Sequence, residues 1–411
     1  MEIDYLTLSD FEKRDKRVLL RLDINCPLDP TTNQILDDTR IGSAKPTLDM
    51  LVDARVAVLS HQSRPGREDF TSLEQHSTLL QKHCTQRVRF IDDVMGPAAR
   101  QAIKELKKGE VLVLDNVRLC AEENLQERGE KLTRTNLVRR LAPFFDLYVN
   151  DAFAAAHRSQ ASLVAFPYVL PSAAGKLMER ELGALKRLLE EPDRPSTYVL
   201  GGAKIEDKVP VIENILSTRK GDHVLLGGVV GKVFLKAAGQ RFNENEEEEL
   251  AKSQQQVEKA KHILAKYKKQ IIVPSDFGTL ERGKRVNVPV EKMRGAGVSL
   301  DIGPRTTEDF ARIINRSKTV VANGPIGVFE QEGFETGTRS LLESMANSNA
   351  FTVIGGGHLA GYAGILGIAE RFSHVSTAGG AMLSLLAGEE LPAIVALVDA
   401  AKRHKRSSAK S

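Results

Sequence analysis

The sequence predicts an α/β protein with two doubly wound parallel-sheet domains joined by a helix, and a cleft between them. Three observations carry this. Short β-branched runs alternate with helical stretches along nearly the whole chain. Those runs end in arginine and histidine in the first half and in glycine in the second. One amphipathic stretch, stopped by Pro192 and Pro195, lies between halves of similar size. The implied domains are residues 1–172, a linking helix over 173–192, a second domain over 193–390 and a terminal segment over 391–411.

Length and charge narrow the function. A chain of 411 residues is long enough for two or three domains. With 58 Lys and Arg against 54 Asp and Glu, the net charge is only +4. No basic stretch is interleaved with aromatics, so a nucleic-acid partner is not expected. No run of about eighteen apolar residues occurs, so no membrane span is expected. Cys26, Cys84 and Cys120 form neither a close pair nor a metal-ligand spacing, which suits a reduced, cytoplasmic setting. The stretch Met1-Glu-Ile-Asp-Tyr5 has no secretory-signal character.

The first half is expected to place strands at 18–24, 56–59, 88–91, 111–114 and 147–149, with helices over 72–83 and 131–142 and a helix start at Lys45-Pro46. Period 2 would put Arg21, Asp23 and Asn25 on one face of the first strand. Ligands of doubly wound sheets sit beyond the carboxyl ends of the strands. There the sequence places Arg21, Arg40, His61, Arg64, Arg118, His157 and Arg158. Guanidinium groups suit bidentate recognition of carboxylate and phosphate, so the expected ligand is small and highly anionic.

The linking helix is expected over 175–191, with Met178, Leu182, Leu185 and Leu189 on its apolar side. Beyond it, strands at 197–200, 223–226, 271–273, 319–322, 351–354 and 374–376 each run into a glycine turn. The glycines are Gly201-Gly202, Gly227-Gly228, Gly278, Gly324, Gly355-Gly356-Gly357 and Gly379-Gly380. A strand, a glycine turn and a helix N-terminus together offer bare N–H groups to a phosphate. Lys204 and Lys208, at i and i+4, would share a helix face near such an end. Side-chain cations in one half and backbone donors in the other suggest phosphoryl transfer between a metabolite and a nucleotide. Two familiar nucleotide motifs fail. Leu226 stands where a P-loop needs its first glycine, and Val233 follows Lys232 where Ser or Thr is required. No clean dinucleotide fingerprint is present, which disfavours a dehydrogenase. The charged run 243–269 reads as one solvated amphipathic helix, and the basic tail after Lys402 as frayed.

Nine segments in order closely resemble the phosphoglycerate kinase family over nearly the whole chain. They are Arg21-Leu-Asp-Ile-Asn-Cys-Pro27, Asp37-Asp-Thr-Arg-Ile41, Ser60-His-Gln-Ser-Arg-Pro65, Asn116-Val-Arg118 and the 150–158 segment. Gly201-Gly-Ala-Lys-Ile-Glu-Asp-Lys208, Asp301-Ile-Gly-Pro304, Asn323-Gly-Pro-Ile-Gly-Val-Phe-Glu330 and His374-Val-Ser-Thr-Ala-Gly-Gly380 follow. The resemblance implies two Rossmann-like domains, the C-terminus returning to the first, and a cytoplasmic monomer of glycolysis and gluconeogenesis. It implies phosphoryl transfer between 1,3-bisphosphoglycerate and ADP with Mg²⁺, giving 3-phosphoglycerate and ATP. By motif match, Asp23, Asn25, His61, Arg64, Arg118 and Arg158, with His157 beside them, would hold 3-phosphoglycerate. Arg40 would be the catalytic arginine and Lys204 would follow the moving group. Lys208 would hold nucleotide phosphates, Asn323, Pro325, Val328 and Glu330 the ribose and base, and Gly201, Gly227 and Gly228 the adenine. Donors at Gly355, Gly356, Gly357, Gly379 and Gly380 would meet the transferring phosphoryl group. The family usually has Asp, a Mg²⁺ contact, after the triple glycine. Here His358 stands there, as in the archaeal branch, so no protein side chain is assigned to the metal. His358 either donates to a phosphate or caps the helix. Ala322 stands where many members have Trp. The competing reading is a non-catalytic binder of phosphometabolite or nucleotide on the same fold.

Overall fold

A computed structural model describes residues 4–190, 192–376 and 378–408. The chain divides into two units, Met1–Gly183 with Glu390–Ser411, and Ala184–Glu389.

The first unit holds a six-stranded parallel sheet: β1 (Arg17–Arg21), β2 (Arg55–Leu59), β3 (Arg87–Ile91), β4 (Glu110–Leu114), β5 (Leu147–Asn150) and β6 (Ser172–Ala174). The order is β3-β4-β2-β1-β5-β6. Val18, Leu19, Leu20, Val56, Val58, Val111 and Val113 are wholly enclosed, as a parallel sheet covered on both faces requires. The chain winds to one flank of β1 and then crosses to the other. The carboxyl end of β1 is therefore the topological switch point, where such sheets bind ligands.

The second unit repeats the plan with β7 (Ser196–Leu200), β8 (His223–Leu226), β9 (Ile271–Ile272), β13 (Thr319–Asn323), β14 (Phe351–Gly355) and β15 (His374–Ser376). The order β15-β14-β13-β7-β8-β9 puts its switch point at the end of β7. A separate antiparallel sheet, β11-β10-β12, is built from β10 (Asp276–Glu281), β11 (Lys284–Pro289) and β12 (Val298–Ile302). The sequence reading missed this sheet and β6.

Other differences have local causes. The first strand stops at Arg21 instead of Ile24 because side chains replace the ladder. Ile24 N–H donates to Ser60 Oγ at 3.2 Å and Cys26 N–H to Gln62 Oε1 at 2.9 Å. The helix expected over 131–142 is two, Gly129–Leu132 and Asn136–Leu141, because Thr135 caps the second, accepting from Val138 N–H at 3.5 Å. The 243–269 run is also two helices, Glu244–Ala251 and Gln254–Tyr267, and its Glu246 is buried instead of solvated. The tail is helical through Ser408 and held to the first unit. Lys405 Nζ lies 2.6 Å from Asp4, Arg403 donates to the Pro167 carbonyl at 2.8 Å, and the His404 ring packs on Phe11. Among the described residues no helix is long and apolar enough to cross a membrane.

The linking helix is Lys176–Glu190, and the expected last residue, Glu191, lies outside the described residues. Leu188, not Leu189, completes its buried face with Met178, Leu182 and Leu185. Its start is set by Asp151, just beyond β5. The carboxylate accepts from Met178 N–H at 3.0 Å and from Thr47 Oγ at 2.5 Å, and Lys176 N–H donates to Thr47 Oγ at 2.8 Å. A Cβ on Gly175 would collide with this carboxylate, which explains the glycine. Burial pushes the Asp151 carboxyl up to about 6.

On the Glu74–His83 helix, His76 is fully enclosed and bonded through Nε2 to Gln62 Oε1 at 3.0 Å. Burial pulls its imidazole down to about 4 from 6.5. A depressed histidine contributes stability that is present above pH 6.5 and lost as pH falls towards 4. The slope approaches about 1.4 kcal/mol per pH unit for one proton. Asp151 acts with the opposite sign over roughly pH 4–6. Urea unfolding between pH 7.5 and 5 should therefore show a steeper acid loss in the wild type than in His76→Gln. Equal slopes would refute the buried neutral imidazole.

Candidate functional site

The candidate site has two parts, one in each unit. In the first unit, register places Arg21 beside Leu59 of β2 and Asn150 of β5, so the segments that follow leave one sheet edge together. Asp23 lies there with its side chain only 7 % exposed, 3.5 Å from Arg40 Nη1. Burial opposes its charge, yet the cationic surroundings, Arg40 and Arg21 among them, hold the carboxyl below its ordinary range. Burial, assisted by Arg21, Arg158 and Arg40, brings the His61 imidazole down to about 3 against the pull of Asp23. His61 is thus neutral at physiological pH. Arg158 is lowered by burial first and then by Arg64, Arg21 and Arg40, with Asp23 opposing. Arg40 and Arg158 therefore share a single carboxylate, and Arg64 adds its charge beside Arg158, an arrangement completed by an anion.

Two further expected residues join through the 60–66 loop. Asn25 Oδ1 accepts from Ser63 N–H at 2.6 Å, and Arg118 donates to the Ser63 carbonyl. Ser63 sits at φ +52°, the left-handed bend that lets one residue serve both. His157 is linked to Arg158 through a 3.3 Å contact between Arg158 Nε and His157 Nε2. Arg21 differs from the sequence expectation. It is wholly buried, and its partners are protein groups.

In the second unit, Asn323 of β13 is in register with Leu200 of β7 and Gly355 of β14, so three glycine turns open at one edge. A cavity of about 490 Å³ is lined by Lys204, Asp207, Lys208, Asn323, Gly356, Gly357, His358, Gly379 and Gly380. It receives the N-termini of the Ile205–Ser217, Gly357–Ile365 and Gly379–Leu386 helices. Lys208 is buried, which lowers its pKa; Lys204 adds to this and Asp207 opposes it. Asn323 is buried and its Nδ2 has no partner, so a donor stands ready inside the cavity wall. His358 is exposed in the first turn of its helix. A second cavity of about 190 Å³ shares Gly202, Ala203 and Pro325 with the first. It is lined also by Gly228, Val229, Lys232, Leu300, Val328 and Glu330.

Gly201, Gly227 and Gly355 serve the cavities from behind. A Cβ on Gly201 would lie 2.2 Å from the Pro325 carbonyl, on Gly227 2.4 Å from Ile326, and on Gly355 2.3 Å from Met382. In the first two glycine pairs it is Gly202 and Gly228 that line a cavity, not Gly201 and Gly227. Sequence reasoning also missed Asp207, Val229 and Lys232 as lining residues. For Asp207 a signal existed, since it shares a helix turn with Lys204 and Lys208.

A doubly wound unit with lysines and helix N-termini around a glycine-walled cavity suits nucleotide phosphates, and the cation cluster of the other unit suits a small anion. Together they define a kinase of small anionic metabolites. A phosphoglycerate kinase family model matches residues 8–389. The chain is 44% identical over 403 residues to the phosphoglycerate kinase of Methanothermus fervidus, covering 97% of this chain and 98% of that one. It is 43% identical to that of Methanococcus maripaludis, covering 98% and 100%. The crystal structure of phosphoglycerate kinase from Pyrococcus horikoshii superposes with a TM-score of 0.90 at 40% identity, covering 97% of this chain and 99% of that one. The chain belongs to the phosphoglycerate kinase family.

The glycine turns are testable. Gly356 sits at φ +96°, and a Cβ on Gly379 would lie 3.1 Å from Gly356 Cα. Gly356→Ala should cost about 1–2 kcal/mol for a side chain forced into left-handed backbone. It should also weaken ATP binding by at least about tenfold, equivalent to 1.4 kcal/mol. Calorimetric titration with Mg-ATP measures this, and unchanged affinity would separate the turn from the phosphates.

Proposed function

We propose that the chain transfers a phosphoryl group reversibly between the acyl phosphate of 1,3-bisphosphoglycerate and Mg²⁺-bound ADP, giving 3-phosphoglycerate and ATP. The carrying observation is the surplus of guanidinium groups around Asp23, on the same chain as a lysine- and glycine-lined phosphate cavity. The protein acts as a cytoplasmic monomer in glycolysis and gluconeogenesis.

Asp23, Asn25, His61, Arg64, Arg118, His157 and Arg158 bind 3-phosphoglycerate. Arg40 stabilises the transferring group. Lys204 tracks it and Lys208 holds the nucleotide phosphates, and Asn323, expected at the ribose and base, lines the cavity with these lysines and is reassigned to the phosphates. Pro325, Val328 and Glu330 line the nucleotide cavity at the base and ribose. The acceptor carboxylate is already ionised at neutral pH, so no general base is needed. Positioning and charge stabilisation carry the reaction. The neutral His61 suits this, because it donates a hydrogen bond without competing for a proton.

The donor set fits a magnesium ion that arrives with the nucleotide. Among the described residues no group of three or more His, Cys, Asp and Glu could hold a metal. Asp207 is the one carboxylate lining the larger cavity. Mg²⁺ favours one or two carboxylates with phosphate oxygens and water, so Asp207 would hold it and His358 would face phosphate. When bound, the ion would supply neutralisation of phosphate charge.

Formation of ADP from ATP and 3-phosphoglycerate tests the reading. Arg40→Ala should lower kcat by about 10³-fold or more, as for other arginines that stabilise a transferring phosphoryl group. His358→Asp should lower the Mg²⁺ concentration at half-maximal rate, since it adds an oxygen ligand. Absence of turnover with both substrates still binding would leave a binding protein on a kinase fold.

A further inference from the structure

The acidic run at 243–251 turns one carboxylate inward, onto a lysine in the smaller cavity. Lys232 lines that cavity with its side chain 12% exposed. Its Nζ donates to Glu246 Oε1 at 2.6 Å and to the Ser299 carbonyl at 3.0 Å. Glu246 is itself fully engaged. Oε1 also accepts from the Ser299 N–H at 3.1 Å and from the Ser299 hydroxyl, and Oε2 accepts from Asn243 Nδ2 at 2.9 Å. An ammonium carries three donors. Two are used on these fixed partners, and the third is left for whatever fills the cavity.

Gly228, Val229 and Val328 line the same space and suit a flat ring. Purines differ in what they present there. Adenine carries at position 6 an amine, which donates, whereas hypoxanthine and guanine carry a carbonyl oxygen, which accepts. An ammonium facing the amine sets donor against donor, while facing the carbonyl it forms a charge-assisted hydrogen bond. Resting on the nucleotide reading above, we infer that Lys232 selects the base by donating its third N–H to the 6-carbonyl of an oxopurine nucleotide. The chain then uses inosine and guanosine triphosphates at least as well as ATP. The Glu246–Ser299–Asn243 network is the positioning element that keeps the ammonium in place.

The test compares kcat/KM for ATP, ITP and GTP with 3-phosphoglycerate and Mg²⁺. ITP differs from ATP at the 6-position without the extra 2-amine of GTP. The wild type is expected to use ITP with a kcat/KM equal to or above that for ATP. In the double variant Lys232→Met/Glu246→Gln neither charge is left buried alone. There the ITP-to-ATP ratio should fall by about tenfold or more, the worth of one charge-assisted hydrogen bond. A wild-type ratio below about one, or a ratio the double variant leaves unmoved, overturns the inference while the kinase reading stands. No turnover with any triphosphate overturns both. The wild-type ratio decides the question even where the variant does not fold.

Discussion

The small-anion site depends on one buried guanidinium. Arg21 is completely enclosed at the end of β1, and a charge there is tolerable only if paired and hydrogen-bonded. Its Nε donates to Ser162 Oγ at 2.7 Å, and Ser162 gives its hydroxyl and N–H to Glu123 at 2.6 and 2.9 Å. Burial raises the Glu123 carboxyl and Arg21 works against that rise, so the two charges are mutually dependent. Arg21 also reaches His61 Nδ1 at 3.2 Å. A guanidinium can only donate, so Nδ1 must accept and the imidazole proton sits on Nε2. The buried arginine thereby fixes the tautomer of His61 and adds to the burial that keeps the ring neutral. It is a positioning residue beneath the site.

That role was hidden from a reading by alternation. Period 2 assumes that the strand continues, and the strand ends at Arg21 because Ser60 and Gln62 take over the backbone donors of Ile24 and Cys26. The parallel strands themselves were legible, because buried parallel strands are continuous apolar runs. The antiparallel β10–β12 sheet was not, since β11 is mostly exposed and polar. Its one local signal was Arg282-Gly283, with φ of +47° and +77°, the two-residue turn that closes the hairpin between Glu281 and Lys284.

The site divides along the same line. Glycine turns and cations at strand ends are local features, so Lys204, Lys208, Asn323 and the 355–357 turn could be named from sequence. Which glycines face the cavity depends on packing between segments. Gly201 and Gly227 make room for Pro325 and Ile326, whereas Gly202 and Gly228 line the smaller cavity, Gly228 packed so closely on Gly202 that a Cβ would lie 2.9 Å from its nitrogen. Lys232 and Glu246 could not have been paired from sequence. Fourteen positions separate them, and Ser299, which joins both, comes from β12.

The two units use opposite physical means to hold anions, and the difference suits what each anion does. Guanidinium groups offer fixed forks that define the pose of a carboxylate or phosphate that stays in place. Arg64 and Arg158 repel one another while Asp23 offsets Arg158, so the site favours an anion that relieves the two arginines together. Lysines and backbone N–H groups hold charge with less directional demand. They suit a phosphoryl group that must be gripped before transfer and released after it. Arg40 combines the two behaviours. It is 37% exposed and only 3.5 Å from Asp23 in a loose contact, so its fork can follow the charge instead of anchoring it. The residue expected to act on the moving group is accordingly held to Asp23 by one loose contact, while Arg21, at the end of β1, is wholly enclosed and hydrogen-bonded.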